Sequence, residues 1–236
     1  MYGYGGYYGG FYLDRTMFIL IPAILFTMYA QFKVSTTTNR YLRVNTNRGF
    51  TGEQTARTIL DRNGLYDVSV EMVRGHLSDH YDPRRKVVRL SQDVYYGTSI
   101  TSVAVAAHEC GHAMQHAKGY VPLNIRSSLV PVVNFASNIS WLLIALGLFM
   151  SRGIFLNIGI LLFSASVLFQ LVTLPVEFNA SSRALSQLGN MGIVEGNELK
   201  GSRQVLTAAA LTYVAAALTS VLQLLRLLAI ADRNDD

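Results

Sequence analysis

The sequence predicts a mainly α-helical membrane protein with about four transmembrane helices, plus a small α+β domain with a short sheet. Long apolar runs punctuate the 236 residues, half of which are hydrophobic and only 15% charged, a balance far from that of an ordinary water-soluble chain. One stretch, residues 33–128, is instead polar and mixed, with strand alternation and turn signals. Within it lies Val103–His116, VAVAAHECGHAMQH, whose centre is an H-E-x-x-H pattern. The single cysteine, Cys110, excludes an internal disulfide framework. A net charge of +5 and a pI near 9.4 would suit nucleic acid, but the basic residues sit beside the apolar runs. A lipid bilayer is therefore the partner they point to, with no nucleic acid.

Taken in order, residues 1–15 form a Gly/Tyr-rich flexible N-terminus whose tyrosines suit a membrane interface. It lacks the basic region and cleavage site of a signal peptide. Residues 16–32 carry no charge and are bordered by Asp14, Arg15 and Lys33, so they read as transmembrane helix 1 despite Pro22. In the polar domain, residues 33–128, Thr51–Arg62 has helical spacing of Ala56, Ile59 and Leu60 and closes at Asn63-Gly64. Val68–Val73 alternates like a strand, Asp82-Pro83 marks a turn, and Lys86–Ser91 reads as a second strand. A strand edge beside a metal-bearing helix can hold a substrate backbone by strand addition. Lys86–Ser91 is the natural candidate for that edge, or else an ordinary core strand. The motif helix follows, with Thr98 or Ser99 as N-cap and Gly119 as its stop.

Residues 129–174 read as a transmembrane hairpin, helices 2 and 3, turning at Ser151-Arg152-Gly153. Residues 175–204 form a polar segment back on the motif side, and 205–231 make helix 4, with small-residue faces at Ala208–Ala210 and Ala215–Ala217. Flanking charge sets the orientation. Lys33, Arg40, Arg43, Lys118, Arg126, Arg183, Lys200 and Arg203 lie on the motif side, against Arg15, Arg152 and Arg233 on the other. The positive-inside rule then puts the motif at the cytoplasmic surface.

The chemistry follows from helical geometry. His108 and His112 are four apart, so both imidazoles can reach one Zn²⁺ from one helix face. Glu109 can then point at the open position, where a carboxylate accepts a proton from an activated water. Cys110 falls on another face and reads as a small packing residue. A catalytic zinc takes a third protein ligand. His116 is roughly 12 Å along the helix axis from His108, too far to share an ion, and reads as a polar residue at the helix end. His76 and His80, in GHLSDH, remain alternatives set among loop signals. Glu177, in LPVEFNA just after the third apolar run, is the better candidate. The hairpin returns it to the motif side, and an ionisable residue at membrane depth is by default functional.

The blocks GHLSDHYDPRRKVVRLS, VYYGTSITSVAVAAHECGHAMQH and LPVEFNASSRA resemble the YugP-type bacterial membrane zinc metallopeptidases, over roughly residues 30–230. More distantly the chain is similar to the HtpX-type and prenyl-protein (CAAX) peptidases. The resemblance implies a zincin-like (gluzincin) domain, zinc held by His108, His112 and Glu177, Glu109 as general base, and a multi-pass bacterial plasma-membrane protein. It does not supply a substrate; an active site at the membrane surface points to a peptide or membrane protein, with oligomeric state and cleavage preference unspecified. One departure is Ser181, where the distant relatives carry an aspartate that orients a ligating histidine. Ser181, Asn179 or Asp93 are the candidates to replace it. Tyr95, Tyr96, Tyr120 and Arg183 are candidate oxyanion stabilisers that the sequence does not rank. Two other readings differ in kind: an intramembrane site-2-type protease, whose Asp-Gly ligand loop is missing here, and a non-catalytic scaffold or chaperone stapled by zinc, which would not need Glu109.

Overall fold

A computed structural model describes residues 15–75, 78–150 and 153–235, leaving out the side chains of Arg15 and residues 233–235. The Gly/Tyr segment, His76 and the Ser151-Arg152 turn lie outside the described residues. A 3₁₀ turn, Arg15–Leu20, leads into α1, Ile21–Leu42, where Pro22 occupies the first turn and so removes no helical hydrogen bond. Helix α2, Gly52–Arg62, starts at a capping box in which Thr51 and Gln54 satisfy each other's backbone N–H. Strands β1 (Ser69–Val73), β2 (His80–Asp82) and β3 (Val87–Ser91) and a single helical turn, α3 (Gln92–Tyr95), lead to the motif helix α4, Ile100–Ala117. The Ser99 hydroxyl accepts from the Ser102 N–H to cap α4, and Gly119, at φ +60°, supplies the left-handed residue that stops it.

Three long helices complete the chain: α5 (Val121–Met150), α6 (Gly153–Asn190) and α7 (Gly196–Asp235). With α1 extended by its leading turn, they make four helices long and apolar enough to cross a membrane. The 38 residues of α6 extend about 57 Å, roughly twice the hydrocarbon thickness. Pro175 lies inside α6 rather than ending it, so the polar segment carrying Glu177 is a rigid continuation of the apolar helix. Packing runs α5 on α6, α6 on α7 and α7 on α1, while α4 lies against α6, α2 and α7.

The sheet decides between the two readings of Lys86–Ser91. Its order is β1-β3-β2, with β3 parallel to β1 and antiparallel to β2. The Lys86–Ser91 segment is therefore the central strand, with both ladders taken, and cannot accept a further strand. Its residues Val87, Val88 and Leu90 are buried in a core shared with Ile59 and Leu60 of α2 and Val103 and Ala107 of α4. That core fixes the motif helix from below. Strand β2 also reaches the motif helix: the Tyr81 hydroxyl lies 2.9 Å from His116 Nδ1.

Candidate metal centre

Helix α4 presents His108 and His112 on one face, their ring centroids 4.8 Å apart. Helix α6 crosses that face. Gly111 makes the crossing possible, since a Cβ there would stand 2.5 Å from the Ala180 carbonyl oxygen. Ala180 is itself fully buried at the contact. One helical turn before it, Glu177 is 2% exposed and faces both imidazoles. Its Oε2 lies 3.3 Å from His108 Nε2 and 3.5 Å from His112 Nε2. Donor atoms of the three side chains all fall within 4.8 Å of one another. Among the described residues this is the one such cluster of His, Cys, Asp and Glu.

The outward nitrogens are also held. Gln115 Nε2 donates to the Val176 carbonyl at 2.8 Å and to Asn179 Oδ1 at 3.0 Å, which fixes the amide's orientation. Its Oε1 then accepts from His112 Nδ1 at 3.0 Å, so the proton sits on Nδ1 and the Nε2 lone pair faces the cluster. Ser181 Oγ lies 3.2 Å from His108 Nδ1 and can accept there in the same way. Of the candidates to replace the relatives' aspartate, Ser181 is the one placed at His108. Asn179 instead accepts from Gln115 and from Arg183 Nε. Burial opposes the His112 imidazolium, but the Glu177 and Glu109 carboxylates outweigh it and hold its pKa above the ordinary value. Two imidazole nitrogens and a carboxylate oxygen, each with its far side anchored, are the donor set that zinc takes.

A cavity of about 370 Å³ opens over the cluster, and Glu109, only 8% exposed, lines it beside His108, His112 and Glu177. Two residues that the motif reading missed line it as well. Arg126 of α5 sets Nη1 3.8 Å from Glu177 Oε1, with its guanidinium carbon 6.0 Å from the Phe169 ring centre. Tyr213 of α7 lines it from another helix. None of the four suggested oxyanion residues lines this cavity. Tyr120 reaches the Pro175 carbonyl, Tyr95 and Tyr96 pack edge to face, and Arg183 holds Asn179. His80 lines the rim, with Nδ1 2.7 Å from the Ser78 carbonyl oxygen, and is no member of the donor cluster. Cys110 is fully buried beside the Ala56 carbonyl, and burial pushes its thiol pKa up, as suits a packing residue.

Residues 16–232 match the family model described as "Putative neutral zinc metallopeptidase". The chain belongs to this zinc metallopeptidase family. It is 53% identical over 210 residues to a Bacillus subtilis (strain 168) protein named "Putative membrane protease YugP", covering 89% of this chain and 93% of that one. No solved structure matches the chain. Family membership and the His108–His112–Glu177 cluster agree on the kind of metal: the family's zinc is one that these donors fit.

Proposed function

We propose that this protein is a membrane-embedded zinc endopeptidase with its active site at the cytoplasmic membrane surface of a bacterial cell. The observation that carries the reading is the convergence of His108, His112 and Glu177, with Glu109 lining the cavity above them. When bound there, zinc would polarise the scissile carbonyl and lower the pKa of the attacking water. Glu109 takes the proton from that water and delivers it to the leaving amine. Gln115 and Ser181 hold the two imidazoles in the tautomer and orientation that ligation needs. Arg126 places a positive charge beside the carboxylate of Glu177, on the oxygen away from the histidines, and so balances the charge of that buried side chain.

Substrate alignment falls to β2 rather than β3. Among the described residues strand β2 pairs with β3 on one side only, and Asp79, His80 and Tyr81 line the cavity. An extended peptide added along that free edge lies across the mouth of the site. The division into a polar domain, residues 33–128, and membrane helices supports access from the membrane surface. So does the excess of Lys and Arg on the motif side, which favours the cytoplasmic face.

The test is turnover of a denatured protein such as casein by detergent-purified, zinc-loaded protein. Glu109→Gln is expected to retain zinc and lose about 10²–10⁴-fold in rate. A Glu109→Gln protein as active as wild type would show that the carboxylate is not the base and would favour a zinc-stapled scaffold.

A further inference from the structure

The four long helices do not close on themselves. Helix α1 packs on α7 and α5 packs on α6, yet α1 and α5 are not packed as neighbours among the described residues. They stand instead as the two walls of a slot floored by α6 and α7. Two separate cavities lie in this slot. The one over the metal cluster is walled by Val34 and Thr38 of α1 and by Leu123 and Arg126 of α5. The second, of about 340 Å³, is walled by Leu20 and Ile24 on one side and Trp141 on the other, over Phe163. From Leu20 to Thr38 the α1 wall runs about 27 Å, close to the thickness of the hydrocarbon layer.

We propose that this slot is a lateral docking site for one transmembrane helix of a substrate protein, delivering the chain just beyond that helix to the metal. The proposal deepens the peptidase reading above and rests on it. Three features select a helix as the occupant. The slot is continuous with the site cavity in the sense that the same two helices wall both. The α1 wall that carries both cavities is as long as the apolar layer is thick, whereas a lipid chain fills only one leaflet. The slot's charge is also complementary to one end of a helix. The Arg126 guanidinium stands at the metal end, with its Nε buried and unpartnered. The C-terminal end of a helix, with its unpaired carbonyls and partial negative charge, suits that positive end. The substrate class is therefore a membrane protein whose apolar helix ends at the active-site face, cut a short distance C-terminal to it.

The test locks the slot without touching the site. Ile24→Cys/Trp141→Cys places two exposed thiols on opposite walls, while native Cys110 is fully buried and escapes labelling. The variant is reconstituted in lipid nanodiscs and bridged with a cleavable bis-maleimide. Two reporters carry the same flexible casein-derived sequence, one free and one fused after a Leu/Ala transmembrane helix. Lateral docking predicts that bridging cuts cleavage of the helix-fused reporter by about tenfold or more, by removing its high local concentration. Cleavage of the free reporter should be unchanged, and opening the bridge should restore the first rate. Equal rates for the fused reporter with the slot bridged and open would overturn the docking site while leaving the peptidase reading intact. A failure to cleave either reporter before bridging, with zinc bound, would overturn both. The unbridged variant reports any folding defect directly, and Leu20→Cys/Trp141→Cys supplies a second lock between the same two walls.

Discussion

Replacing Gly111 by alanine is the sharpest probe of how the site is built. The new methyl would stand 2.5 Å from the Ala180 carbonyl oxygen, against about 3.4 Å for ordinary contact. The obstacle is backbone on a helix that crosses α4 at a buried seam, so it cannot swing away as a side chain would. Relief requires α6 to retreat by about 0.9 Å, carrying Glu177 with it. Alanine gains up to about 1 kcal/mol of helix propensity over glycine. Overpacking of this kind costs about 1–3 kcal/mol, so the net effect is destabilising. The metal site is more sensitive still, because ligand distances tolerate only about 0.2 Å. Gly111→Ala is therefore expected to lower zinc affinity by at least about tenfold, with a smaller fall in thermal stability of the metal-free protein. Competition with a chromophoric zinc chelator measures the first, and thermal unfolding in detergent the second. Wild-type zinc affinity in Gly111→Ala would refute the claim that this close approach sets the position of Glu177.

Further outcomes follow from the same contacts. Ser181→Ala should weaken zinc binding about 10–100-fold with little loss of fold, read by the same chelator competition. Gln115→Leu should weaken zinc to a similar degree and also destabilise the protein, because it leaves the His112 Nδ1–H without its acceptor and removes the buried bond to the Val176 carbonyl. Acid should loosen β2 first. The Asp82 carboxyl is held below its ordinary pKa: desolvation would raise it, but the Arg85 and Arg84 backbone N–H groups and the Arg89 guanidinium outweigh that. The stability this gives is present above the unfolded value near 4 and lost as pH falls through the folded one. Protection of the His80–Asp82 amides, measured relative to their unstructured exchange rates, should fall below about pH 4 in wild type but not in Asp82→Asn.

Much of the site could be read from the chain because local rules determine it. Helical periodicity puts His108, Glu109 and His112 in their places, Ser99 and Gly119 end the helix where capping chemistry says they should, and the hairpin topology brings Glu177 back to the motif side. The anchoring residues are harder to see. Gln115 lies three residues past His112 and belongs to the same helix face, a signal that was present but shared with any polar residue at that spacing. Arg126 and Tyr213 reach the cavity from α5 and α7, and nothing local to either segment says which way those helices turn. Strand order is hidden for the same reason. Lys86–Ser91 and His80–Asp82 both look extended, and only the crossover from β1 to β3 makes the first central and the second an edge. Pro175 carries no local signal of its fate either, since a helix buried among others in an apolar layer can run through a proline, as α6 does.

The most direct test of the central claim is the zinc content of detergent-purified protein, compared among wild type, Glu177→Ala and His80→Ala. One zinc per chain in wild type and His80→Ala, with loss in Glu177→Ala alone, is the result that His108, His112 and Glu177 predict. Zinc retained by Glu177→Ala but lost from His80→Ala would contradict it, and would make the rim of β2, not the crossing of α4 and α6, the place where the metal is held.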